Sequence, residues 1–238
     1  MRAALVIRAD HRGVVDLQAP PPLSAKIING DHGPEVYVVA SAASLLEGDE
    51  LSIAIELAND CQLTVRSIAA QLAHPCPGGG SATMLITAVV GARSLLRWLP
   101  EPTIVAQEAN LTVHTTVHVA RDAMALWQEE YILGRSGEPP SSTRLRTKLT
   151  ADLDGQPLVR DALDTTRVGA FGPAVLGDTR YVASLATLGF RSAESGAHQL
   201  ARPGSLRRAM SADVAAGRAA LRPAPQELQL CWVASATS

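Results

Sequence analysis

Glu129 and Glu130 stand side by side in an otherwise apolar run, Ala125 to Leu133. A carboxylate taken out of water is costly unless it is paired, protonated or bound to a cation, so at least one of the two has a task inside the fold or at an interface. The plain alternative is strand alternation, with Glu130 outside and Glu129 matched to an arginine inside. Asp161, next to Arg160 in the run Leu158 to Leu163, poses the same question. His114 and His118 have the four-residue spacing that lets a helix hold one metal ion between two imidazoles. Their neighbourhood argues against a helix, because Leu111, Val113, Val117 and Val119 alternate with Thr112, His114, Thr116 and His118. On a strand rising about 3.3 Å per residue, the two rings lie roughly 13 Å apart and cannot share an ion. Thr115 is the one polar residue on the inward side of that strand. His74-Pro75-Cys76 offers an imidazole and a thiol for Ni²⁺ or Zn²⁺, but two ligands do not make a site.

Other chemistry is missing. Gly78-Gly79-Gly80-Ser81 lacks the Lys-Ser/Thr of a phosphate-binding loop, and neither G-x-S-x-G nor H-E-x-x-H occurs. A hydrolase with a dispersed triad is the only catalytic reading left open. Aromatic residues make up 3% of the chain, too few for a base- or sugar-stacking platform, and the net charge of −2 gives no basic face for a phosphate backbone. Nucleic acid is therefore not an expected partner. Cys61, Cys76 and Cys231 are an odd, scattered set that suits a reducing compartment, and no apolar run approaches the roughly 20 residues that cross a bilayer. The expectation is a cytoplasmic protein with no membrane contact.

The elements that must position these residues are short strands. Ala3 to Ile7 and Val14 to Leu17 read as edge strands and Val36 to Ala40 as a third. Leu51 to Arg66 alternates on both sides of Asn59-Asp60 and reads as a β-hairpin with a two-residue turn. His74 to Ser81, with two prolines and three glycines, reads as an exposed loop, and Met84 to Val90 as a buried strand. Leu145 to Leu153 alternates against a charged face, turns at Asp154-Gly155 and returns through Leu158 to Leu163. Tyr181 to Phe190 fits strand or buried helix, and Ser211 to Leu221 fits a helix capped by Ser211. No internal repeat is visible. With 238 residues and 47% hydrophobic composition, the chain is expected to form a single, mainly β domain over 1–238, built of many short antiparallel strands and hairpins with few helices.

Four pieces of the stretch from Gly48 to Asp161 resemble, in order and spacing, the urease accessory proteins of the UreD (UreH) family. Gly48-Asp49-Glu50-Leu51 resembles the family's Gly-Gly-Asp strand opener, and Trp98-Leu99-Pro100-Glu101 its Trp-Leu-Pro-Gln signature. Glu129 is the acid six positions before the arginine of Leu133-Gly134-Arg135, and Asp161 sits at the acidic position after the Asp-Gly turn. The chain departs from the pattern at Glu47, where the first glycine is usual, and at Ala69-Ala70-Gln71-Leu72, which lacks the family's hydroxyl and lysine. The resemblance implies a non-enzymatic scaffold that binds apo-urease subunits and a UreF-like protein, with the GTPase UreG recruited through UreF. It implies no tightly bound cofactor, and transient Ni²⁺ moving along an internal polar path to which Asp49, Glu129 and Asp161 contribute. The runner-up reading is a β-sandwich-like ligand-binding module unrelated to urease.

Overall fold

The computed structural model describes residues 1–30, 33–40 and 45–229. The strands are β1 (Arg2–Asp10), β2 (Gly13–Gln18), β3 (Leu23–Gly30), β4 (Gly33–Ala40), β5 (Glu50–Leu57), β6 (Gln62–Ser67), β7 (Gln71–Ala73), β8 (Ala82–Val90), β9 (Leu95–Leu99), β10 (Thr103–Val105), β11 (Asn110–Val119), β12 (Met124–Leu133), β13 (Arg144–Leu153), β14 (Gln156–Asp164), β15 (Tyr181–Leu188), β16 (His198–Gln199) and β17 (Gly204–Ser211). Two short helices follow, α1 (Val214–Leu221) and α2 (Pro225–Leu228). The mainly β expectation holds.

The strands form two facing sheets. The first runs β14-β13-β11-β8-β5-β1-β2 and the second β16-β17-β15-β12-β9-β6-β4-β3, with β10 and β7 joined beside β12. Through the middle of the molecule the chain winds from one sheet to the other. Each of β5, β8 and β11 in the first sheet leads through a tight turn into β6, β9 or β12 in the second. Those turns hold Asp60, Arg93 and Asp122 at φ of 59°, 55° and 60°, and they stack by backbone bonds such as Gly91 N–H to the Leu57 carbonyl at 2.9 Å. Successive coils therefore meet in parallel: β5 pairs with β1 and β8, β8 with β11, and β6 with β4 and β9.

This corrects the hairpin expected over Leu51 to Arg66. Its halves lie in different sheets, and parallel ladders dominate the middle of both. Alternation tells which residues face the core, but two strands that enclose one core from opposite sides show the same alternation as two strands side by side. For the same reason β1 is not an edge; it lies between β2 and β5. The coil repetition is structural and leaves no repeat in the sequence. The hairpin through Asp154-Gly155 is present as β13–β14, with φ of 53° and 70° at the turn, as a two-residue primed turn requires. Tyr181–Leu188 is a strand. The helix cap is Asp213, whose carboxylate accepts from Ala216 N–H at 3.0 Å, while Ser211 ends β17. The 74–81 loop is less open than expected: Cys76 is buried, and Glu47 accepts from the Gly78 and Gly80 N–H groups at 2.8 and 2.6 Å. Cys231 lies outside the described residues.

The two sheets differ in what covers their outer faces. β8 alternates between buried and exposed, one-sided where a fully buried strand was expected, because the first sheet faces solvent on its outside. In the second sheet β9 and β15 are buried at every position, and α1 packs outside β15 and β17, its Leu221 clustering with Leu126, Tyr181, Ala183 and Leu185. Gly217 permits that contact: a Cβ there would meet the Tyr181 ring at 2.3 Å.

Candidate functional site: a polar layer between the sheets

Strand β12 places its two carboxylates on opposite faces of the second sheet, and both are buried, Glu129 at 8% exposure and Glu130 at 6%. Glu129 points between the sheets. In the first sheet, pairing sets Leu5, Ile53, Ile86, Thr115, Leu149 and Asp161 in one row. In the second, Glu129, Ser184 and Arg208 form the facing row. The polar members of these rows make a layer within an otherwise apolar core. Thr115 Oγ1 donates to Glu129 Oε1 at 2.6 Å, and Trp127 Nε1 adds a longer bond at 3.3 Å. Tyr131 OH is at the outer limit, 3.5 Å from Oε2. Arg208 is spent on Asp161, at the edge of the layer.

Among the described residues Glu129 thus has neutral donors and no cation, which overturns the plain expectation of an inward Glu129–arginine pair. Burial pushes its carboxyl above the ordinary value, Asp161 adds in the same direction, and the Thr115, Trp127 and Tyr131 donors oppose it. The Tyr131 phenol is raised as well, by burial and by Glu129.

Glu130 is the one with an arginine. On the outer face its Oε2 accepts from Tyr181 OH at 2.9 Å and from Arg218 Nε at 3.1 Å, and Gln128 Nε2 donates to Oε1. Arg218, from α1, also reaches Glu101 Oε2 at 2.9 Å. Neither Tyr181 nor Arg218 was legible as a partner, because the helix that brings Arg218 is 88 residues away in sequence.

Two cavities meet at Glu129. One of about 140 Å³ is lined by Met84, Ile86 and Val113 from the first sheet and by Gln128, Glu129 and Glu130 from β12. It draws on both faces of β12 because the sheet is interrupted there. β9 pairs with Met124–Trp127 and β10 with Tyr131–Leu133, so Gln128, Glu129 and Glu130 have no paired strand on that side. A second cavity of about 30 Å³ continues past Glu129 to Leu149, Asp161, Ser184 and Arg208.

Asp49, the third acid singled out in the sequence, lines neither cavity. It opens β5, accepting from the Met1 ammonium at 2.8 Å and from Leu46 N–H at 3.0 Å. His114 and His118 are exposed on the outer face of the first sheet, with His118 Nδ1 2.6 Å from Asp152. Among the described residues no three His, Cys, Asp or Glu side chains are grouped to hold a metal ion. What the layer offers is the carboxylates of Glu129 and Asp161 lining one narrow cavity between the sheets. Also among the described residues, no helix is long and apolar enough to cross a membrane.

A family profile described as UreD urease accessory protein matches residues 2–237. Among curated relatives, the urease accessory protein UreD of Parafrankia sp. is 36% identical over 176 residues, 72% of this chain and 59% of the relative. UreD 2 of Saccharopolyspora erythraea is 38% identical over 154 residues, 63% of this chain and 54% of the relative. UreD of Streptomyces coelicolor is 35% identical over 191 residues, 77% of this chain and 74% of the relative. The matched segment spans little more than half the length of the first two. These relatives are named as urease accessory proteins, a non-catalytic family. The chain belongs to the UreD urease accessory protein family.

Proposed function

We propose that the chain is a non-enzymatic scaffold of urease maturation, acting in the cytoplasm. It binds apo-urease and a UreF-like protein, with UreG joining through UreF, and it passes nickel toward the urease active site through the space between its two sheets. The observation that carries this reading is Glu129: a buried carboxylate held by neutral donors, with a cavity on each side and Asp161 lining the second. Held by a threonine and an indole, the Glu129 carboxylate needs no guanidinium moved aside before its oxygens can meet a passing divalent cation. Oxygen ligands bind Ni²⁺ weakly enough to release it. Asp161 hands its charge to Arg208 at the layer's rim, where the cation leaves or enters. Asp49, which lines neither cavity, contributes by fixing the start of β5.

The test is co-expression with the cognate urease subunits and UreF-like protein, followed by pulldown and measurement of nickel in the recovered urease. Glu129→Gln and Asp161→Asn are expected to keep the complex and lose most of the nickel incorporation. Full incorporation by both variants would show the two acids to be structural. Absence of any complex with the wild-type chain would remove the scaffold reading itself.

A further inference from the structure

Gln128 Oε1 is fully buried, and among the described residues it has no hydrogen-bond partner. The side chain is 9% exposed and lines the 140 Å³ cavity where the second sheet is interrupted. A buried amide oxygen without a donor costs about 1–3 kcal/mol, so its persistence calls for something that brings positive charge or a proton to it. Its own Nε2 is spent on Glu130, which places the orphan oxygen beside a carboxylate. Glu101 lines the same cavity. Two carboxylates and an amide oxygen thus converge at the opening through which the inter-sheet space meets the outside.

At present those carboxylates share one cation, and it belongs to the protein. The Arg218 guanidinium bonds Glu130 Oε2 at 3.1 Å and Glu101 Oε2 at 2.9 Å. It is brought there by α1, an eight-residue helix seated on Tyr181 through Gly217. Arg218 is 42% exposed, as is Glu101, so the pair between them is screened and cheap to open. We propose that Glu101, Gln128 and Glu130 form an entry site for a divalent metal cation, and that Arg218 is a resident plug that a metal or a partner displacing α1 must remove. This inference rests on the nickel-path reading and adds its port and its gate. Displacement balances charge, since one guanidinium leaves two carboxylates to a dication, and the amide oxygen gains its missing partner.

The experiment uses the full chain and Ni²⁺ alone, with Mg²⁺ as a second probe, by isothermal titration calorimetry. Arg218→Gln keeps a donor for Glu130 while removing the charge. It is expected to bind Ni²⁺ about tenfold more tightly than wild type at one added site, within the usual range of coupling between competing ligands. Adding Glu130→Gln or Glu101→Gln should abolish the gain. Unchanged Ni²⁺ binding by folded Arg218→Gln, or a gain that survives Glu130→Gln, would overturn the proposal. If Arg218→Gln does not fold, hydrogen exchange on the wild-type chain decides the matter. Ni²⁺ should speed exchange in residues 214–221, and no change there would equally overturn it. The path and the gate fail separately: a gain in Arg218→Gln without any effect of Glu129→Gln on urease nickel would keep the port and reject the path beyond it. The reverse pattern would keep the path and reject the port.

Discussion

Glu129 and Glu130 are neighbours on one strand with nearly equal burial, and they live in different chemistry. Glu130 looks outward into a layer made by α1, where Tyr181 and Arg218 donate to it. Glu129 looks inward, where Thr115 and Trp127 supply neutral hydrogen bonds only. Burial alone therefore does not say what a carboxylate costs or can do. The partner across the gap decides, and it arrives from a different part of the chain in each case. Glu130 has a guanidinium to balance it, while Glu129, held by neutral donors, has its carboxyl pushed above the ordinary value by burial.

That contrast can be broken from several sides. Trp127→Ala should have the largest effect, because it deletes a fully buried indole stacked 5.2 Å from Trp98 and also removes a donor to Glu129. Chemical denaturation should show a loss of about 3–5 kcal/mol. Glu130→Ala leaves the Tyr181 hydroxyl and Arg218 without their shared acceptor, and about 1.5–3 kcal/mol should disappear in the same assay. If Glu129→Ala cost more than Glu130→Ala at pH 8, the assignment of the structural tie to Glu130 would be wrong. Thr115→Val keeps shape and removes the shortest donor to Glu129, so a loss of about 1 kcal/mol is expected, shrinking in the Glu129→Gln background if the two groups are coupled.

The smallest effect is the most diagnostic. The folded state holds Glu129 above its ordinary value of 4.5, so the fold favours the neutral acid. By linkage this favourable contribution is complete below about pH 4.5 and is lost as pH rises through the folded-state value. Glu129→Gln mimics the neutral form at every pH. Its melting temperature relative to wild type should be unchanged near pH 4 and higher at pH 8. A difference independent of pH would mean that burial does not hold Glu129 in its neutral form.

The two sheets were unequally legible for a related reason. In the first sheet one face meets solvent, so hydrophobic alternation shows plainly: the β11 pattern, the inward Thr115, the outward His114 and His118 and the β13–β14 turn all follow from residue types. In the second sheet the outside of β12 and β15 is covered, alternation vanishes in those two strands, and they read only as apolar runs. There the fate of Glu130 stayed hidden, and the expected arginine was assigned to the wrong neighbour. Gln128, Ser184 and Arg218 gave no local signal at all. The nearest hint was Arg207-Arg208, adjacent cations that β17 sends to opposite faces, Arg207 to Glu227 on α2 and Arg208 to Asp161 between the sheets.

Residue types and their spacing determined that this chain is mainly β, that one of Glu129 and Glu130 has a task inside the fold or at an interface, and that its ordered signatures belong to the UreD family, because strand period and turn chemistry are local properties. Which strands became neighbours was settled only when the chain had coiled. Parallel pairing across a coil joins residues about thirty positions apart in sequence, and nothing in either strand names the other. The meeting of Glu129 with Asp161 across the core, the interruption beside Gln128 and the placement of Arg218 over it all depend on that packing. They are products of register and helix docking, which the tertiary structure alone decides.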